Sequence, residues 1–322
     1  MISSEAKATY SAAEAYRAAH ESAVLAFHSE PGVLQLTGRT RLELINRMST
    51  QAVNGLQDGE GAATVLTTDI GRIIDRIILY ATSDGVYALT GDGHADPLAR
   101  YFMRNIFFND DAQLRDISAT TFVFGVYGPR AAELLVVAGF PEVEMPLHHW
   151  RQATIGAATV YLHRTDPIAG GGYFVTGSAP DRDAIRAALL AAGLLPIDEA
   201  AYDYLRIEAG LPRFGRELTL DYIPLEADLW PDVSFSKGCY VGQEIIARME
   251  SRGKLAKRLA RLRPASPVAA GAEIVANGRP VGTITSAADG PAGPVALGYV
   301  KTAALDEGLE LKAGDVVLAI VK

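Results

Sequence analysis

Apolar residues recur along this chain at two spacings, and the change from one to the other marks its elements. An alanine-rich run over 9–30 predicts a helix or two, and VLQL at 33–36 predicts a strand. Leu42, Ile45 and Met48 then return at helical spacing, with Gly55 as a stop. Between 61 and 90 the period shortens. AATVLTT, GRIIDRIILYAT and GVYALTG read as strands, joined by turns at TDIG and SDG. A helix over 95–108, a strand over 121–127, a helix closed by Gly139, strands over 158–164 and 172–176 and a helix over 181–193 follow. Strands and helices mix without strict βαβ alternation, which predicts an α+β fold. Beyond about 250 the segments RLARLRP, EIVANGRPVGTITSAA and VALGYV are short strands with Gly, Asn-Gly and Pro between them. They predict a small β-barrel or sandwich over 251–322, separate from a larger region over 1–250.

A chain of 322 residues exceeds the size at which single cores stop growing, so more than one domain is expected. The formal charge of −8 argues against a general nucleic-acid coat and leaves room for a local basic patch. Cys239 is the one cysteine, which excludes an intrachain disulfide and any metal or cluster site built from several thiolates of this chain. Glu5 and Lys7 stand where a signal peptide would be apolar, and no run of about 18 apolar residues occurs. A cytoplasmic protein without a membrane span is expected.

Three stretches could carry chemistry. In KGCYVGQEIIAR (237–248), Cys239 lies between two glycines and just ahead of a predicted helix, with Lys237 beside it. A helix N-terminus and a cation both favour a thiolate, although free cysteines are more often buried and inert. Glu244 and Arg248 are spaced to pair, and Gly253 to cap. In DEAAYDYLRIEAGLPRFGRE (198–217), Asp198 can cap a helix ending at Gly210. Glu208 there lies near the apolar stripe and needs either a protein cation such as Arg206 or a ligand with N–H donors. The third stretch is a basic run that includes Arg252, Lys254, Lys257 and Arg258, a place for a phosphate-bearing partner such as tRNA or, more commonly, a solvated face. His148 and His149 lack a third ligand at motif spacing, so no metal site is expected.

Together these segments resemble the folate-dependent superfamily that includes the T-protein of the glycine cleavage system and the YgfZ proteins. GRTRLELINRMSTQAVNGLQDGEGAATVLTTDIGRIIDRIILY resembles its N-terminal block, YGPRAAELL its Gly-Pro turn and helix, and LRIEAGLPRFGRELT its Arg-x-Glu-Ala-Gly segment. GRPVGTITSAADGPAGPVALGYV is similar to its C-terminal barrel. The octapeptide formed by Lys237, Gly238, Cys239, Tyr240, Val241, Gly242, Gln243 and Glu244 resembles the YgfZ branch, since T-proteins usually lack this cysteine. T-proteins also carry two adjacent acidic residues where this chain has Asp75 and Arg76, and an arginine cannot serve as a base.

The resemblance implies interleaved N-terminal α/β and β subdomains plus the barrel, in a ring with a folate-sized central hole. It implies tetrahydrofolate or a one-carbon derivative as cofactor, with Glu208, Tyr80, Arg76 and Gln243 near it and Cys239 and Asp75 as candidate reactive groups. It also implies a role with iron–sulfur enzymes or their assembly machinery, including enzymes that modify tRNA. Two alternatives stay open: a folate-dependent aminomethyltransferase or demethylase relying on Asp75, and a non-catalytic scaffold that senses folate and docks tRNA or a protein.

Overall fold

The computed structural model describes residues 10–321, apart from the Arg252 side chain. Ser11 and Glu14 form a capping box that starts α1 (Ala12–Glu21), with Ala15 and Ala19 facing the core. The helical expectation for 9–30 ends there, and its residue 9 lies outside the described residues. A strand follows, β1 (Val24–Phe27), whose first three residues are wholly buried.

The chain next builds a five-stranded sheet. Its elements are β2 (Gly32–Thr37), α2 (Arg41–Met48), β3 (Gly61–Thr67), β4 (Ile73–Ala81), β5 (Gly85–Thr90), α3 (Ala95–Met103) and β6 (Gln113–Asp116). The strand order is β3-β4-β5-β2-β6, antiparallel throughout. Helices α2 and α3 cover one face, burying Ile45 and Phe102 against Leu36, Ile77 and Leu79. The α3 helix stops five residues short of its expected end at 108.

A second sheet follows, from β7 (Thr121–Tyr127), α4 (Ala131–Val137), β8 (Trp150–Ile155), β9 (Ala158–Ile168), β10 (Gly171–Ser178), α5 (Arg182–Ala191) and β11 (Leu195–Ile197). Its order is β11-β1-β7-β10-β9-β8. Strand β1 thus pairs antiparallel with β7 and parallel with β11, so the chain crosses between the two sheets and the layers are interleaved. Helices α4 and α5 cover the outer face through Leu135 and Leu189. The inner faces of the two sheets meet through Ala63, Ile78, Tyr80 and Trp150, with Tyr87, Tyr161 and Phe174 around them.

Asp198 caps α6 (Glu199–Ala209) by accepting from the Ala201 amide, and Gly210 closes it at φ +82°. Tyr204 and Leu205 of α6 pack on Val295 and Leu297 of the C-terminal region. A long irregular segment then leads to α7 (Gln243–Arg252), closed by Gly253 as expected.

The remainder comprises β12 (Lys257–Pro264), β13 (Glu273–Ala276), β14 (Arg279–Ala288), β15 (Val295–Lys301), α8 (Thr302–Asp306), β16 (Leu311–Ala313) and β17 (Val316–Val321). The six strands close into a barrel around Leu262, Ile274, Ile284 and Val300. Asn277 and Gly278, both at positive φ, make the tight turn from β13 to β14. The fold is α+β, as the mixed periodicity predicts. Among the described residues no helix is long and apolar enough to cross a membrane.

Candidate functional site

Neighbours along a strand point to opposite faces, and β4 separates Asp75 from Arg76 in this way. The Asp75 carboxylate is completely buried. Its Oδ2 accepts from the Gly91 amide and from His94 Nδ1, both at 2.9 Å. His94 in turn stacks on Phe214. Burial pushes the Asp75 carboxyl above its ordinary value, with the bond from His94 pulling the other way. Asp75 is therefore enclosed on the side of β4 away from Arg76.

Arg76 faces the second sheet. Its Nε donates to Asp232 Oδ2 at 2.6 Å and its Nη1 to Asp166 Oδ2 at 2.9 Å. Burial opposes the charge, but the two carboxylates overcome it and hold the guanidinium above its usual range. Burial likewise opposes the Asp166 charge, and Arg76 pulls its carboxyl below the ordinary value. Around this triad lie Tyr80 and His148, 1% and 8% exposed. Tyr80 Oη and His148 Nδ1 are buried and have no hydrogen-bond partner in the protein. Such atoms lose water without compensation unless something bonds them. Burial pushes the His148 imidazole below its ordinary value and the Tyr80 phenol above its own. The result is a polar interior with unmet hydrogen-bonding capacity between the two sheets.

The sequence points to Arg76 and Tyr80 here, singles out His148 only to set it aside as a metal ligand, and gives no sign of Asp166 or Asp232. Asp232 reaches Arg76 across 156 residues of sequence, so no local spacing could reveal the pair.

The Cys239 turn is built differently from its sequence-based expectation. Lys237 Nζ donates to the carbonyls of Asn46, Ser49 and Gln51 at 2.6–2.7 Å. These lie at and just beyond the C-terminus of α2, where the chain leaves carbonyls unpaired and the helix dipole favours a cation. Burial alone pushes Lys237 down to about 8. The three bonds argue that the site is built for the ammonium form. Lys237 therefore pins the turn to α2 and does not serve as a spare cation for the thiol.

Two further ties fix the same turn. Val241 donates its amide to the Arg47 carbonyl, and Thr67 Oγ1 donates to the Val241 carbonyl at 2.6 Å. Gly242 sits at φ +84°, and a Cβ there would come within 2.5 Å of the Thr68 carbonyl oxygen. Tyr240 is buried, while Gly238 and the free Cys239 form the exposed apex. Gln243 is half-buried at the start of α7, and Glu244 pairs with Arg248 at 3.0 Å on its exposed side. The thiol is thus presented to solvent on a rigid support.

Glu208 turns elsewhere. One carboxylate oxygen lies 3.1 Å from His20 Nε2, and the other accepts from Tyr16 Oη at 3.3 Å and from Arg263 at 3.5 Å. Protein groups from α1 and the barrel thus satisfy it, and it shares no partner with Arg76. Arg206, two residues earlier, is buried against Asp203, Glu217 and Ser286.

Two cations of the basic run have protein partners. Arg258 pairs with Asp306 at 2.6 Å, and Lys257 sits 4.3 Å above the Tyr222 ring. Lys254 is exposed, and the Arg252 side chain lies outside the described residues.

This architecture has known counterparts. Residues 4–237 match the GCVT N-terminal domain, and residues 257–316 match the glycine cleavage T-protein C-terminal barrel domain. The chain belongs to the glycine cleavage T-protein family. A chloroplastic protein of Arabidopsis thaliana named as a transferase is 27% identical, covering 96% of this chain and 72% of that protein. The aminomethyltransferase of Symbiobacterium thermophilum is 29% identical, covering 93% of this chain and 84% of its own length. The crystal structure of the glycine cleavage aminomethyltransferase T from Bartonella henselae superimposes with a TM-score of 0.84 at 23% identity. It covers 96% of this chain and 88% of that one, which demonstrates the shared fold. Residues 238–256, with Cys239 and all of α7, fall between the two matched stretches.

Proposed function

We propose that this family member binds a reduced folate in the polar interior between its sheets and acts in the cytoplasm as an accessory factor for iron–sulfur proteins, including tRNA-modifying ones. In this reading Cys239 is its reactive thiol and aminomethyl transfer is absent. One observation carries the last part. Where the resemblance to T-proteins puts a second acidic residue, Arg76 is held between Asp166 and Asp232. The two carboxylates there, Asp166 and Asp232, are both paired with Arg76, which weakens either as a base or a partner for a developing cation. Asp75 does not substitute, because it faces the other side of β4, where Oδ2 is bonded to His94 and Gly91 and Oδ1 is buried without a partner.

Folate binding is supported by family membership and by the unpartnered Tyr80 Oη and His148 Nδ1, which suit a ring with both donors and acceptors on its edge. The YgfZ-type octapeptide supports the accessory role. Its Lys237 and Gly242 fix a turn whose exposed residue is the cysteine. The second reading, aminomethyl transfer, draws on the names of the relatives and requires a carboxylate that Arg76 replaces. A tRNA-docking role for the basic run is less favoured, because Lys257 and Arg258 already have protein partners.

Cys239→Ala separates these readings in cells lacking the native protein, scored by iron–sulfur enzyme activity. The exposed apex tolerates the change, so the variant is expected to fold normally and to lose most of the rescue. Full rescue by the folded variant would remove the thiol from the function.

A further inference from the structure

A cavity lies between the same two sheets, at the end away from Arg76. It occupies about 220 Å³ where β7 begins and β10 ends, and its walls include Tyr87, Leu89, Trp150, Tyr161 and His163. Along β9, Tyr161 precedes Asp166 by five residues, which places the two roughly 16 Å apart. Arg76 and Asp166 do not line the cavity, but Tyr80, four residues along β4 from Arg76, does, so the cavity adjoins the triad's interior at that residue.

Its chemistry differs from that of the triad. No Asp, Glu, Lys or Arg lines it. A charged ligand would lose water there without gaining a counter-ion, which disfavours carboxylates and phosphates. Aromatic rings dominate the walls, and Trp150 and Tyr161 already meet edge to face at 5.6 Å. An apolar cavity of about 150 Å³ is known to admit benzene, so this larger space accommodates one or two fused rings.

Most of the polar groups around it are occupied. Trp150 Nε1 donates to the Ala81 carbonyl, Thr120 Oγ1 to the Ile117 carbonyl, and Gln35 donates to Tyr87 Oη. His163 Nε2 is bonded to Thr176 Oγ1 at 2.9 Å. His163 Nδ1 and Tyr80 Oη are exceptions, each buried without a partner. Burial pushes this imidazole down to about 3, so the ring is neutral near pH 7. A neutral imidazole leaves Nδ1 as a donor or an acceptor according to the direction of the Thr176 bond.

We propose that this cavity binds an uncharged planar heteroaromatic molecule of one or two rings, stacked among Trp150, Tyr87 and Tyr161 and hydrogen-bonded to His163 Nδ1. The site shares Tyr80 with the interior assigned above to folate and lies at the other end of the two sheets.

Indazole is a suitable probe, since it is neutral and carries an N–H and a bare ring nitrogen side by side. Indene has the same shape without either. Calorimetry on the full chain is expected to give an indazole Kd of about 1 mM or tighter. His163→Phe should weaken indazole about tenfold and leave indene unchanged, and Leu89→Trp, which fills the space, should abolish both. Saturating tetrahydrofolate should leave the indazole Kd unaltered. Thermal unfolding of each variant checks that the fold persists. No indazole binding to the unaltered chain, equal weakening of both probes by His163→Phe, unchanged binding in Leu89→Trp, or displacement by tetrahydrofolate would each overturn the proposal. Failure of indazole to bind would leave the folate reading untouched.

Discussion

Replacing Arg76 by methionine is expected to destabilise the fold by about 3–5 kcal/mol, the cost of leaving buried charges without their partner. The guanidinium satisfies two carboxylates at once, Asp166 and Asp232, whose side chains are 23% and 6% exposed. Without it they face each other as like charges, and one must take up a proton. That protonation fixes the pH dependence. The variant's carboxyl pKa rises above its unfolded value, so the deficit is largest near neutral pH and shrinks as pH falls towards about 4. Arg76→Lys should recover only part of the loss, since one ammonium cannot reproduce a planar fork reaching two acids. Urea unfolding at pH 7 and pH 5 measures both effects. A loss below about 1 kcal/mol at pH 7 would show that the triad does not hold the sheets together.

An effect of similar size is expected at Arg206, the largest wholly enclosed side chain among the described residues. It bonds Glu217 at 2.8 Å, Asp203 at 2.8 Å and Ser286 at 2.7 Å. Glu217 also accepts from Thr285, Ser286 and the Arg213 amide, so this network ties α6 and the following loop to barrel strand β14. Arg206→Met should cost about 3–5 kcal/mol by stranding the Glu217 carboxylate. Adding Glu217→Gln removes that charge and keeps its acceptor oxygen, so the double variant should be more stable than Arg206→Met alone. Equal stability would mean that the stranded charge is not the source of the loss.

The sequence announces parts of this fold and hides others for identifiable reasons. Strands β3, β4 and β5 alternate or run apolar between clear turn residues, so their existence and order are legible. Strand β1 is hidden because VLAF is a four-residue apolar run following an alanine helix, and such a run suits either state. Strand β6, QLRD, lies on an edge and is mostly exposed, so it carries no buried signature. Strand β11 has three residues and owes its place to pairing with β1.

At the site, the octapeptide around Cys239 marks a special turn, but it cannot show that Lys237 reaches back to α2. Asp75 and Arg76 look like one unit in sequence, and the pleat of β4 puts them on opposite faces. Glu208 was expected to need a partner, and the structure supplies one from α1 and the barrel. Asp166 and Asp232 have no sequence signature, because their meaning depends on a guanidinium distant along the chain.

The central claim, a reduced-folate site in the Arg76-lined interior, is tested most directly by calorimetric titration of the full chain with tetrahydrofolate. Saturable binding with a Kd of about 10 µM or tighter is expected, weakened several-fold by Tyr80→Phe. Absence of binding up to about 1 mM, or binding indifferent to Tyr80→Phe, would contradict it.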